Sequence, residues 1–223
     1  FFPYIGYFQL INAVDLFVIY NDVHFITRGW INRNQILINN SSHQFTIPLV
    51  KASQNKLIKD IYINRYEIWY KDFLKQITHA YSKARYFQPV FSLLDNLLEE
   101  RIFRIDQLNI KAIKCVLKYL NINKKIKISS EDYKNQNLKS EARIIDICLQ
   151  EKAMCYINPI GGLSLYSRDN FAQKGLTINF LSPNQFIYKQ FSNNFTANLS
   201  IIDVMMFNSV TKIRDMLSNF ELL

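Results

Sequence analysis

Apolar residues recur along this chain with different periods, and each period marks a different kind of element. The opening block Phe1-Phe2-Pro3-Tyr4-Ile5-Gly6-Tyr7-Phe8 puts a Pro/Gly turn ahead of an amphipathic stretch, which predicts a loop and then a short helix over Tyr7–Ala13. Leu16–Tyr20 is an uninterrupted apolar run, as in a strand covered on both faces. That order also implies a further strand ahead of Phe1. Gln35–Ile38 and Gln44–Val50 read as a hairpin around the turn Asn39-Asn40-Ser41-Ser42, with Phe45, Ile47 and Leu49 on one face. Ile58–Ile63 is a further strand by the same alternation.

The period then changes to four. Trp69, Phe73, Ile77 and Tyr81 form one stripe of a helix over about 66–84. Pro89 interrupts, Val90–Glu100 is a second helix, and Asp106 suits the N-cap of a third whose buried face is Ile110, Ile113, Leu117 and Leu120. These three helices, about 66–121, read as an insertion or a sheet-covering layer. After them come a strand at Lys125–Ile128, a helix over Lys139–Lys152, a strand at Met154–Ile157 and a helix over Tyr166–Lys174 stopped by Gly175. A strand at Leu176–Leu181 and a final helix over Ser200–Asn219 close the order. Strands alternating with helices predict an α/β fold: a mainly parallel, Rossmann-like sheet in one domain, 1–223, with the helical insertion in the middle.

Composition narrows the picture. Of 223 residues 49% are hydrophobic, enough for a large core, and five Gly and five Pro argue against long linkers. No repeat or low-complexity segment interrupts the pattern. The longest apolar runs fall far short of the roughly 20 residues of a membrane span, and no signal peptide is visible. Cys115, Cys148 and Cys155 have no CxxC spacing and read as free thiols of a cytoplasmic protein. The formal charge of +9 includes Lys111, Lys114 and Lys118 on one helix face, followed by Lys124, Lys125 and Lys127. This is either a solvated face or a patch for phosphates or an anionic membrane surface. No nucleic-acid-binding signature accompanies it.

Ligands of open α/β sheets bind beyond the C-terminal ends of the strands. Asn21-Asp22 with His24, Ser129-Ser130, Pro159 to Gly162 and Pro183-Asn184 map there, and the Pro3–Tyr7 loop should join them. On a continued strand Asp22 and His24 share a side, so the carboxylate would orient the imidazole as a general base. The other reading of His24 is a surface hydrogen-bonding residue. Arg28, Asn32, Arg33 and Asn34 cluster with Trp30; arginine forks suit phosphate, and an indole stacks on a sugar or base. The same cluster also reads as a hydrogen-bonded loop on a core Trp. Gly161-Gly162 permits close backbone approach to a ligand, or is a plain turn. His43 and His79 lack metal-ligand spacing, so no metal site is expected. GxSxG, P-loop and GxGxxG motifs are absent. Asp203 favours a helix first turn or completes the site.

Several segments also carry a resemblance. Pro3-x-x-Gly6-Tyr7-Phe8, Asn21-Asp22-Val23-His24-Phe25 and Arg28-Gly29-Trp30-Ile31-Asn32-Arg33-Asn34 look like the WbqC-like family. So do Tyr81 to Phe87, Ser129-Ser130-Glu131, Tyr156 to Tyr166 and Leu199 to Asp203, in order along nearly the whole chain. The resemblance implies a role in O-antigen and related surface-polysaccharide pathways. Where this chain has Asn21 and His24, the family pattern more often has Asp and Gln. The Pro-x-x-Gly turn is also similar to the start of HxGH nucleotidyltransferases, whose two histidines correspond here to Tyr4 and Tyr7, phenols without charge. Ser129-Ser130 with Arg143 resembles their second phosphate motif.

The reading that follows is a transferase modifying a nucleotide-linked amino sugar by acyl or aminoacyl transfer, with no cofactor identified. Asp22 and His24 would handle the proton. Tyr4, Gly6, Tyr7, Arg28, Trp30, Asn32, Arg33, Asn34, Ser129, Ser130, Gly161 and Gly162 would bind substrate, Arg28 and Arg33 at the diphosphate. The alternatives are a non-catalytic binding or scaffold protein of the same pathway and a nucleotidyltransferase-like enzyme.

Overall fold

The computed structural model describes residues 1–223. Elements follow in the order α1 (Ile5–Ala13), β1 (Leu16–Ile19), β2 (Arg33–Ile38), β3 (Ser41–Thr46), α2 (Tyr66–Tyr81), α3 (Phe87–Glu99) and α4 (Ile105–Tyr119). Then come β4 (Lys125–Ile128), α5 (Ser129–Asp132), α6 (Ser140–Gln150), β5 (Cys155–Pro159), α7 (Arg168–Ala172) and β6 (Thr177–Pro183). The chain closes with α8 (Ile201–Phe207), α9 (Val210–Leu217) and β7 (Phe220–Leu222).

The class is mixed α/β, but the single mainly parallel Rossmann-like sheet expected from the alternation is not what forms. There are three small sheets: parallel β1–β4, antiparallel β2–β3, and β5–β6–β7 with β5–β6 parallel and β6–β7 antiparallel. Alternation of strands and helices specifies parallel neighbours, and two such pairs exist. It does not specify that one hydrogen-bonded ladder joins them. The strands involved are only four to seven residues long.

Other expectations change for local reasons. The strand expected at Ile58–Ile63 is a 3₁₀ turn at Ile58–Asp60 followed by isolated bridges. Its backbone serves the loop after β1 instead, since Ile58 N–H donates to Val23 and Lys59 N–H to Asn21. Alternation survives there without a ladder: Ile61 and Ile63 are buried and Tyr62 is exposed. β3 stops at Thr46, two residues before Pro48, which has no N–H to give. Pro89 lies inside the first turn of α3, where a missing N–H costs nothing. The tail helix is broken in two, because Asn208 is extended and the Ser209 hydroxyl accepts from Lys212 N–H to cap α9. Asp106 is not an N-cap. It sits inside the first turn of α4, buried, with its carboxylate bound by other side chains.

One core of 46 buried residues runs from Phe1 to Leu217 and includes α2, α3 and α4. The predicted α2 stripe is buried in full, and its Trp69 and Phe73 pack with Phe1 and Phe45 in edge-on and tilted aromatic contacts. A smaller cluster, Cys148, Phe171, Leu176, Ile178 and Phe180, fills the space between α6, α7 and β6. The lysine patch is partly structural. Lys124 donates to the Asn12 and Val14 carbonyls at the end of α1, Lys127 pairs with Glu151, and Lys111 pairs with Glu100. No helix is long and apolar enough to cross a membrane.

Asp203 organises the other side of the core. Its buried carboxylate accepts from Tyr188 Oη, Gln190 Nε2 and Tyr81 Oη, and Tyr81 Oη in turn accepts from Leu37 N–H at 2.8 Å. Burial holds this carboxyl above its ordinary range although all three side-chain hydrogen bonds pull it down. Tyr81→Phe would leave Leu37 N–H and Asp203 each short of a partner. It should cost about 1–3 kcal/mol of stability in urea denaturation; an unchanged midpoint would show that the hydroxyl carries no such role.

Candidate functional site

Two parallel strands end side by side at this site. Ile19 of β1 is in register with Ile128 of β4, so Tyr20-Asn21-Asp22 leaves the sheet next to Ser129-Ser130. The polar residues at these ends are buried and bind one another. Asn21 N–H donates to Ser129 Oγ at 3.1 Å, and Ser130 N–H to Asn21 Oδ1 at 3.2 Å. Ser129 Oγ donates to Asp22, and Arg143 Nη2, from α6, donates to Asp22 Oδ2 at 2.6 Å. Arg143 Nε reaches Asn135 at 2.9 Å, and its guanidinium lies 4.7 Å from the Tyr20 ring centroid. Burial alone would raise the Asp22 carboxyl, but the hydrogen bonds from Arg143 and Ser129 and the Arg143 charge outweigh it and hold it below the ordinary range.

Asn21 links this cluster to a second one. Its Nδ2 donates to Asp106 Oδ2 at 3.0 Å, and Arg104 grips the same carboxylate with Nε at 3.0 Å and Nη2 at 2.7 Å. Asp106 and Asn21 then form part of the wall of a cavity of about 790 Å³. Its lining includes five aromatic residues, Phe1, Tyr4, Tyr7, Tyr20 and Trp30, together with the amides of Asn34, Asn109 and Asn198. No lysine, arginine or histidine lines it. Tyr4 rests on the Cα of Gly6, where any side chain would collide with the phenol ring. Burial pushes the Tyr7 phenol up to about 12, so it stays neutral. Trp30 stands at the mouth, 59% exposed, with the Arg33 guanidinium 5.6 Å from its ring centroid.

Of the residues singled out from sequence, Tyr4, Tyr7, Trp30 and Asn34 come together in this lining, with Gly6 beneath Tyr4. Asn34 also holds the opening loop, donating to the Phe2 carbonyl at 2.7 Å. Arg33 is at the rim, anchored by Nε to the Gly29 carbonyl, and Asn32 ties the loop to Ile47. Arg28 is exposed in a left-handed conformation. Ser129 and Ser130 stand behind Asn21 rather than in the lining. Asp22 and His24 do not form the expected pair. Asp22 faces Arg143, and exposed His24 shares a 2.7 Å hydrogen bond with the Gln54 carbonyl. The loop after β1 turns instead of continuing the strand on which the pairing relied. Gly161 and Gly162 lie in a 3₁₀ turn outside the lining, where a side chain on Gly162 would strike Asn158.

Asp106, Asn109, Tyr20 and Asn198 were not legible as site residues. One signal was present: Asp106, Asn109 and Ile113 fall on one face of α4, so polar residues share a stripe with a buried apolar one.

A family model for the WbqC-like protein family matches residues 1–215, which include every residue of the lining and the Asp22–Arg143 and Asp106–Arg104 pairs. The chain belongs to the WbqC-like family. It is similar to "Uncharacterized protein Rv1507c" of Mycobacterium tuberculosis (strain ATCC 25618 / H37Rv), 28% identical over 206 residues, covering 91% of this chain and 88% of that protein. No solved structure matches this WbqC-like chain.

The Asp22–Arg143 pair is nearly solvent-free, with 0% and 4% of the side chains exposed. Asp22→Asn would leave a buried guanidinium without its counter-charge and should cost about 3–5 kcal/mol at neutral pH. Because the folded carboxyl titrates below its unfolded value of 3.8, its contribution is full above 3.8 and is lost as pH falls through the lower folded value. Urea unfolding as a function of pH should therefore show a weaker acid dependence in Asp22→Asn than in the parent. An identical acid limb would contradict this assignment.

Proposed function

We propose that this protein binds a nucleotide-linked sugar in the cavity at the ends of β1 and β4 and acts on it as a transferase in surface-polysaccharide assembly. The observation that carries the reading is the cavity itself, with aromatic walls, several amides and one carboxylate, and a Trp–Arg pair at the mouth. Aromatic faces pack on sugar rings or bases, and amides and carboxylates bond to hydroxyls. The absence of cations inside favours an uncharged ring there. Arg33 beside Trp30, with Arg28 nearby in sequence, suits a diphosphate at the rim. Membership of the WbqC-like family supports the pathway. The three free cysteines support a cytoplasmic setting. Acyl or aminoacyl transfer to a sugar amine remains the reaction proposed, with the acceptor group in the cavity. His24, exposed and bonded to Gln54, is left out of the binding role.

A second reading, a non-catalytic binding protein of the same pathway, is favoured by one observation: the lining holds no Ser, Cys, His or Lys to act as nucleophile or general base. A nucleotidyltransferase role has weaker support, because Tyr4 and Tyr7 bring no positive charge to a transferring phosphate.

A ligand that binds only the folded state raises the melting temperature. Thermal shift against a panel of nucleotide sugars, free nucleotides and acyl-CoA compounds should give a clear rise with a nucleotide sugar. Trp30→Ala should abolish it, Arg33→Ala should weaken affinity about tenfold or more, and His24→Ala should leave it unchanged. No rise with any member of the panel would remove the reading. Turnover of the bound nucleotide sugar separates transferase from binding protein.

A further inference from the structure

Charge is spread unevenly along this chain. The 37 residues from Val23 to Lys59 hold five cations, Arg28, Arg33, Lys51, Lys56 and Lys59, and no aspartate or glutamate. This segment, about one sixth of the chain, carries five of its nine excess positive charges. None of the five cations is in an ion pair, whereas Lys75, Arg101, Arg104, Lys111, Lys127 and Arg143 all are. Asp22, just ahead of the segment, is buried against Arg143. Asp60 directly follows Lys59 and offsets the charge at that end alone.

Two loops of this segment are joined. Phe25 N–H donates to the Lys56 carbonyl and Ile58 N–H to the Val23 carbonyl, both at 2.9 Å. The Gln54 carbonyl is bonded to His24 Nδ1, and Gln54 Nε2 donates to Thr27 Oγ1 at 3.2 Å. Residues 23–30 and 51–58 therefore form one lobe, which brings Arg28 together with Lys51 and Lys56. Gly29 N–H donates to the Ile26 carbonyl at 3.1 Å and closes a tight turn with Thr27 and Arg28 at its tip. Ile26 and Trp30 flank that tip, 66% and 59% exposed, and Arg28 is exposed between them.

Cations without acids around them attract polyanions of every kind. The apolar pair narrows the class. An isoleucine held in water gains nothing from phosphates or from the carboxylates of an acidic peptide. Single-stranded nucleic acid would stack on Trp30 and leave Ile26 in water. A bilayer surface accepts all of these groups: isoleucine at the acyl boundary, and Trp and Arg at headgroup level. Attachment of this kind takes two signals, apolar burial and attraction to anionic lipid, and the lobe carries both.

We propose that the lobe of residues 23–30 and 51–58 docks on an anionic phospholipid surface, with Arg28, Lys51 and Lys56 at the headgroups and Ile26 entering the acyl boundary beside Trp30. The proposal does not depend on which ligand the cavity takes. Trp30 and Ile58 also belong to the cavity lining, so docking brings the cavity close to the bilayer.

Co-sedimentation of the protein with vesicles tests it, using phosphatidylcholine alone and phosphatidylcholine mixed with phosphatidylglycerol in equal parts. The mixed vesicles should bind about tenfold or more tightly than the neutral ones. They should lose the protein at about 1 M salt, where the screening length is about 3 Å. Lys51→Glu with Lys56→Glu should weaken binding about tenfold or more. Lys114→Glu with Lys118→Glu, on α4, changes the net charge equally and should weaken it no more than about threefold. Ile26→Ser should weaken it about fivefold. Equal losses in the two double variants would show attraction by the charge of the whole chain and overturn the proposal. So would undiminished binding by Ile26→Ser, or no binding to the mixed vesicles. An oligonucleotide bound more tightly than the mixed vesicles, with the same loss in the Lys51, Lys56 variant, would assign the lobe to nucleic acid instead.

Discussion

The contact between Asp22 and Arg143 is the constraint on which the site depends. Two charges taken out of water cost several kcal/mol each unless nearly every donor and acceptor is matched. That requirement fixes the neighbours. Arg143 needs Asn135 for its Nε and the Tyr20 ring for its face, while Asp22 needs Ser129 and has Gln136 within reach. These residues come from the ends of β1 and β4 and from the segments that follow β4. Satisfying the pair thus holds those segments together and aims Tyr20 and Asn21 toward the cavity. Asn21 then carries the constraint onward. Its amide oxygen accepts from Ser130 N–H and its amide nitrogen donates to Asp106, so the first charge pair positions the second.

The part of the lining at Asn198 rests on a different solution to the same problem. Asp203 has no cation beside it, and neutral hydroxyls and an amide satisfy it instead. Gln190 also holds Thr196 through both its N–H and its carbonyl, which closes the irregular segment ahead of α8. Asn198 follows directly and reaches the cavity lining. Ser200 Oγ and Asn34 Nδ2 both donate to the Phe2 carbonyl, and together they fix the opening loop. The Tyr4 ring over Gly6 depends on that fixation.

Local pattern in the sequence was enough to read most elements. The four-residue stripe of α2, the apolar run of β1, the hairpin at Asn39-Asn40 and the glycine stop at Gly175, whose φ is 71°, all follow from short-range rules. The joining of strands into sheets did not, because ladder partners are chosen by long-range packing that alternation does not encode. Half of the site was legible for a related reason. Tyr4, Tyr7, Trp30 and Asn34 stand out by type within a short unusual stretch. Asp106 and Asn109 look like ordinary polar residues of an amphipathic helix until the start of α4 is placed beside Asn21 and Ile31. Asp22 and His24 were paired by strand geometry, and the turn after Tyr20 parts them. Arg143 is 121 residues from Asp22, and no spacing rule connects the two.

The proposed ligand enters the cavity behind Trp30. The protein has two tryptophans: Trp30 is 59% exposed at the mouth and Trp69 is buried in the core. Intrinsic fluorescence titrated with a nucleotide sugar reports on the first almost alone. A saturable change is expected that disappears in Trp30→Phe and persists in Trp69→Phe. A saturable change that survives Trp30→Phe, or binding by calorimetry with no change at Trp30, would place the ligand elsewhere and contradict it.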